Sequence, residues 1–162
     1  MMTVKDTFNG AKSGMLFMQA YLSSVAGEIG MEKALALDSK TCQFLGAAQG
    51  QMIKEQAGVE EADLKTAENM ISSMVEEGFG ITSEVVESSS DAITCKMGRC
   101  PVYEAGEMLG MENEAIEAGC KSGAITFMDS AAKQLNPNLS YKLTRFRTSA
   151  DDCCEESLVL ED

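Results

Sequence analysis

The chain has 162 residues, and its 26 Asp and Glu against 13 Lys and Arg give a formal charge of −13, a field that repels a phosphate backbone and excludes nucleic acid as an expected partner. It carries six cysteines and twelve methionines but no histidine or tryptophan, so one copy cannot build a Ser-His-Asp or Cys-His arrangement or a histidine-ligated metal site. The opening Met-Met-Thr-Val-Lys-Asp lacks the features of a secretory leader, and no apolar run approaches the ~18 residues of a membrane span.

The expectation is a soluble cytoplasmic protein with no membrane association. Its cysteines then serve as thiols, ligands or small buried hydrophobes rather than as a disulfide framework. The length suits a single domain over residues 1–162, divided into a helical half, 1–78, and a mixed half, 79–162.

In chain order, Met15, Met18, Leu22, Val25 and Ile29 recur at spacings of three and four, which predicts a helix ending at Gly30. A second helix, about 32–56, aligns Leu35, Cys42, Leu45 and Met52, with Gly46, Ala47, Ala48 and Gly50 allowing another backbone to approach. The first stripe and this small-residue cluster together predict a homodimer through the N-terminal helices. A third helix, about 60–77, opens on acidic residues and aligns Leu64, Ala67, Ile71 and Met74.

After Gly80 the period changes from helical to alternating. Residues 81–87 and 92–95, separated by Ser88-Ser-Ser-Asp91, read as an antiparallel hairpin. Pro101 is placed to start a helix running to Gly110. Residues 112–135 are helical in composition but interrupted by Gly119 and Gly123, and Asn136-Pro-Asn138 ends them. Strands at 139–147 and 156–161 complete the pattern. The fold class is α+β: an N-terminal helical half followed by a small antiparallel sheet with packed helices.

The chemistry-bearing residues gather in the second half. Cys95, Cys100, Cys120 and Cys154, or Cys153 in its place, can supply four thiolates to a metal such as zinc, or three with a carboxylate from Glu104 or Asp152, against the plainer reading of small buried hydrophobes. The same reading predicts that Cys100, Cys120 and Cys154 converge. Cys100 precedes Pro101 at a helix N-terminus with Arg99 beside it, a setting that favours thiolate, so it is also a candidate nucleophile. Asp152 is a candidate base or a turn-former. Arg145 and Arg147, read as sharing a strand face, are a candidate carboxylate clamp, with Tyr103 a further substrate-binding candidate.

Arg99-Cys-Pro-Val-Tyr-Glu104, Leu109-Gly-Met, Cys120 followed by Asp129, Leu135-Asn-Pro-Asn-Leu-Ser-Tyr141, Thr144-Arg-Phe-Arg147 and Ala150-Asp-Asp-Cys-Cys154 together resemble the L-2-amino-thiazoline-4-carboxylic acid hydrolase family. That family is similar to the V4R (4-vinyl reductase) small-molecule-binding domains. In both, a Gly-Asp-x-x-Cys turn precedes the last strand, and here Ala150 stands in place of the glycine. Phenol-responsive V4R domains add a Glu-x-x-Cys pair to a zinc site, at a position filled here by Phe146.

The resemblance implies a buried site for a small carboxylated cyclic substrate whose ring is opened by hydrolysis, giving a carbamoyl-cysteine type of product. Cys100 is then nucleophile or metal ligand, Asp152 the base, and Arg145 or Arg147 the carboxylate holder. A non-catalytic module binding a small metabolite in the same pocket is the alternative reading, and a cysteine-ligated metal protein is a third.

Overall fold

The computed structural model describes residues 4–161. One residue, Gly30, separates α1 (Val4–Ile29) from α2 (Met31–Ala57), and its φ of 89° is a conformation open to glycine and strained for other side chains. That single residue folds two long helices against each other. Helix α3 (Leu64–Phe79) begins later than the acidic Glu60 and Glu61 suggest, because Asp63 adopts an extended backbone and accepts the Thr66 N–H at 2.7 Å as its N-cap.

The alternating segments form the hairpin of β1 (Ser83–Ser88) and β2 (Ala92–Met97), and α4 (Pro101–Met108) follows with proline in its first turn. Then α5 (Asn113–Cys120) runs into α6 (Thr126–Leu135) without a break. Gly119 and Gly123 do not interrupt the helix as expected. Instead, residues Lys121–Ile125 form a π-helical turn. Strands β3 (Leu139–Arg145) and β4 (Cys154–Leu160) complete an antiparallel sheet in the order β1-β2-β4-β3. The architecture is α+β, with the helices weighted to the N-terminal half.

Alternation in the sheet sends Ile93, Cys95 and Met97 of β2, Leu139 and Tyr141 of β3, and Cys154 and Leu158 of β4 to the inner face. Against them pack Leu64, Ala67, Ile71 and Met74 of α3 and Met128, Ala132 and Leu135 of α6. Asp129 ties α6 to the sheet edge: its Oδ1 accepts the Tyr141 N–H at 2.9 Å, while Oδ2 accepts from Lys133 at 2.6 Å.

The small residues of α2 are used inside the chain. Gly46 and Gly50 are buried where α2 crosses α6, so close that an added Cβ would fall on the backbone of Phe127 or Ala131. This corrects the expectation that the cluster supports contact with a second copy. What the N-terminal helices do expose is a different set, Phe17 (75%), Tyr21 (65%), Leu37 (52%) and Phe44 (73%). No helix among the described residues is long and apolar enough to cross a membrane.

Replacing Gly46 by alanine should therefore cost about 1–3 kcal/mol by overpacking the α2–α6 crossing. Gly10→Ala, on exposed α1 with nothing near its Cβ position, should instead stabilise by about 0.5–1 kcal/mol. Thermal melts of the two variants check this, the first shifting down and the second up.

Candidate functional site

Above one end of the core, α1, α2, α4, α5 and the π-helical turn enclose a cavity of about 260 Å³ against the sheet. Its wall is mainly apolar, with Met15, Met18, Met31, Met111 and Met128 among the lining residues. The polar lining is concentrated in a few side chains. Cys100, Cys120 and Cys154 all contribute, so three cysteines far apart in sequence do converge on one space. With them stand Arg147, Glu156, Tyr103, Gln19 and Asp38.

Arg147 is 1% exposed. Its Nη2 donates to the carbonyl oxygens of Met97, at 3.1 Å, and Gly98, and its Nε donates to the Cys154 sulfur at 3.3 Å. The guanidinium also lies over the Tyr103 ring, 5.7 Å from its centroid. Burial opposes its charge, but the Cys154 contact and the nearby Cys100 favour it and hold the group protonated. Among the described residues it makes no salt bridge. Its Nη1 is buried without a hydrogen-bond partner.

Glu156 follows Cys154 by two residues on β4, so alternation puts both on the inner face. Burial raises its carboxyl above the ordinary 4.5, while the Tyr141 hydroxyl, donating to Oε2 at 2.5 Å, and Arg147 pull it back. The Tyr141 hydroxyl is itself pushed well up, by burial first and by Glu156 second.

Burial likewise governs the thiols. Cys100 is pushed up to about 11, with the Tyr103 amide and Arg147 acting in the opposite sense, and Cys120 rises well above 9.0 for the same first reason. The helix-terminus argument for a Cys100 thiolate is thus outweighed by desolvation. Arg99, its sequence neighbour, gives no help: it turns outward to Glu104 at 2.8 and 2.9 Å and stacks over Phe8.

The other sequence candidates lie apart from this cavity. Thr144 is the extra residue of a β-bulge, because Leu143 pairs with Glu156 and Arg145 with Glu155. The bulge turns Arg145 to the outer face, where it binds Asp152 at 3.1 and 3.2 Å and Glu155 at 3.3 Å. The two arginines therefore do not form one clamp: Arg147 lines the cavity and Arg145 faces the surface.

Asp152 holds the turn before β4. It accepts from the Thr148 and Cys153 amides and from Arg145, which together hold its carboxyl well below the usual carboxylate range. Cys95 lies between the sheet and α3, 3.7 Å from Glu68, outside the cavity lining and pushed up to about 11 by burial. Among the described residues no group of three or more Cys, Asp and Glu side chains is placed to hold a metal ion. The donor set also fits zinc poorly, because a guanidinium contacts Cys154 where a cation would stand.

Sequence reasoning missed Glu156, Tyr141 and Gln19. Two of them left a signal: Glu156 alternates with Cys154, and Gln19 interrupts the apolar stripe of Met15, Met18 and Leu22.

The L-2-amino-thiazoline-4-carboxylic acid hydrolase family matches residues 11–156. No curated protein matches the chain. Among solved structures, the phenol-responsive sensory domain of the transcription activator PoxR, determined with phenol, is similar at a TM-score of 0.64 and 12% identity, over 90% of this chain and 74% of that one. A trafficking protein particle complex subunit 3 from Naegleria fowleri, covalently bound to palmitic acid, is similar at a TM-score of 0.57 and 12% identity, over 93% and 97%. At this identity the two establish a shared fold.

The raised carboxyl of Glu156 has a consequence for stability. A carboxyl raised by folding contributes stability that is fully present below its unfolded value and lost as pH rises through its folded value. Glu156→Gln should therefore raise the melting temperature at neutral pH, and the gain should vanish below about pH 4. Melts from pH 3 to 8 test it; a gain independent of pH would contradict the assignment.

Proposed function

The chain belongs to the L-2-amino-thiazoline-4-carboxylic acid hydrolase family, and from that premise we propose that its cavity binds a small carboxylated cyclic molecule and opens the ring by hydrolysis. The observation that carries this reading is Arg147, a buried cation that makes no ion-pair contact among the described residues and has an unpaired Nη1, with the Glu156 carboxyl near enough to feel its charge. An unpaired buried charge costs several kcal/mol, and a ligand carboxylate entering the cavity supplies the missing partner. Guanidinium and carboxylate are matched in geometry as well as charge.

Cys100 is the proposed nucleophile. As its thiol rises to about 11, it is protonated at neutral pH and needs a base. Glu156 lines the same cavity, and its raised carboxyl makes it a stronger proton acceptor than an ordinary carboxylate. In the proposed sequence, Glu156 takes the Cys100 proton as sulfur adds to the amidine carbon. The ring C–S bond then breaks, and the departing sulfur receives that proton. Water displaces Cys100 in a second step, leaving a carbamoyl product and a restored thiol.

A second reading is favoured by the apolar, methionine-rich wall: a binding module that holds a small molecule without converting it. The fold neighbours solved with phenol and with palmitic acid support it. Both readings use Arg147 as the ligand's anchor. The exposed Phe17, Tyr21, Leu37 and Phe44 support a homodimer through the N-terminal helices, and a monomer in light scattering at tens of micromolar would remove that claim.

Incubation with 2-amino-thiazoline-4-carboxylate, followed by mass spectrometry, separates the two readings. For a hydrolase, Cys100→Ser should abolish turnover while retaining affinity, and Glu156→Gln should lower kcat by about 10²-fold or more. Arg147→Lys, which keeps the charge and loses the fork, should chiefly weaken binding. Turnover should rise with pH through the raised Glu156 value, because the base acts only when deprotonated, and Glu156→Gln should flatten that limb. Tight binding with no product supports the module instead.

A further inference from the structure

Gln19 lies on α1 in the cavity wall and is 8% exposed. Its Nε2 donates to the Val102 carbonyl oxygen at 2.8 Å, which fixes the orientation of the amide, since only the nitrogen can face a carbonyl. The Oε1 is therefore an acceptor by necessity, and it is buried with no donor. Gly106 keeps the neighbouring space open: a Cβ there would stand 3.3 Å from this oxygen and strike Ile116.

Buried acceptors are rarely left unpaired, and an unpaired one costs free energy that a ligand donor recovers. Two side chains of the cavity lining thus each carry a buried, unpaired polar atom, of opposite kind: a donor at Arg147 Nη1 and an acceptor at Gln19 Oε1. An apolar ligand would satisfy neither. A simple carboxylate would satisfy one.

We propose that Gln19 determines specificity for the amino group of the family's 2-amino acid, its Oε1 accepting a hydrogen bond from that N–H. This rests on the reading of Arg147 as the carboxylate anchor. Gln19 does not touch the reacting sulfur; it reads the group attached to the ring. Such a site rejects an analogue lacking the donor more strongly than an apolar pocket rejects a missing methylene, because rejection leaves the acceptor buried and bare.

The test compares 2-amino-thiazoline-4-carboxylate with thiazoline-4-carboxylate, the same ring without the amino group, by calorimetry on the full chain carrying Cys100→Ser. With Gln19 present, the amino compound should bind about ten- to a hundredfold more tightly. Gln19→Met should erase the difference by weakening the amino compound alone. Gln19→Glu should keep it, because a buried carboxylic acid donates to Val102 through its hydroxyl and still presents an oxygen to the ligand.

Equal affinities in the Gln19 chain, or an undiminished preference in Gln19→Met, overturn the assignment and leave the carboxylate reading standing. Binding of neither acid overturns both. Should Gln19→Met fail to fold, Gln19→Glu decides, since loss of the preference in that folded chain also defeats the proposal.

Discussion

The placement of one guanidinium organises the functional end of this molecule. Arg147 joins the exit of β2, through the Met97 and Gly98 carbonyls, to the start of β4, through Cys154, and its guanidinium carbon lies over the Tyr103 ring of α4. Three separate stretches of chain are thereby held around a single charge. Backbone carbonyls are suited to this task because they stabilise a cation without neutralising it. Glu156 feels that charge across the cavity without making an ion-pair contact with it.

Around that charge, burial and Coulombic attraction compete, and the outcome differs from group to group. At Asp152 the local amides and Arg145 win, and a strongly acidic carboxyl results. At Glu156, four residues along the chain, and at Cys100, which lines the same cavity, burial wins despite the presence of Arg147. The proton is therefore held by both the candidate nucleophile and, at acidic pH, its candidate acceptor, so reactivity depends on transfer inside a closed space. The energetic burden on the fold is carried by the sheet and α3 core below, where Tyr141 beside Glu156 and Cys95 beside Glu68 are set among apolar side chains.

The architecture was legible in the sequence because it follows from periodicity. The stripe of Leu64, Ala67, Ile71 and Met74 specifies α3, and the alternation around Ile93 and Cys95 specifies β2. The convergence of Cys100, Cys120 and Cys154 followed from packing their elements on one sheet. What was hidden depends on single-residue offsets. Arg145 and Arg147 are two apart and ought to share a face, but the bulge at Thr144 turns Arg145 outward and the strand ends there, so Arg147 lies beyond it and is free of the alternation. The thiolate expected at Cys100 failed for another reason: a helix terminus is visible in sequence, whereas the depth at which it lies is not. Gln19 and Glu156 were visible as polar interruptions of apolar patterns, and only burial shows that such interruptions face inward.

The π-helical turn at Lys121–Ile125 settles a matter of phase. Each residue of an α-helix advances about 100° around its axis, so eight regular steps from Cys120 would carry Met128 about 80° away from it. One extra residue in the turn absorbs about 100° of that advance and returns Met128 to nearly the same line. Cys120 and Met128 can then both face the cavity, and Leu135, seven steps beyond Met128, continues that line into the core. The turn acts as a vernier between the two halves of one helix. Deleting one residue there would remove the π turn and leave α6 in step with α5, whereas winding all five residues into regular α-helix would rotate α6 by about 100° and part the cavity wall from the core beneath it.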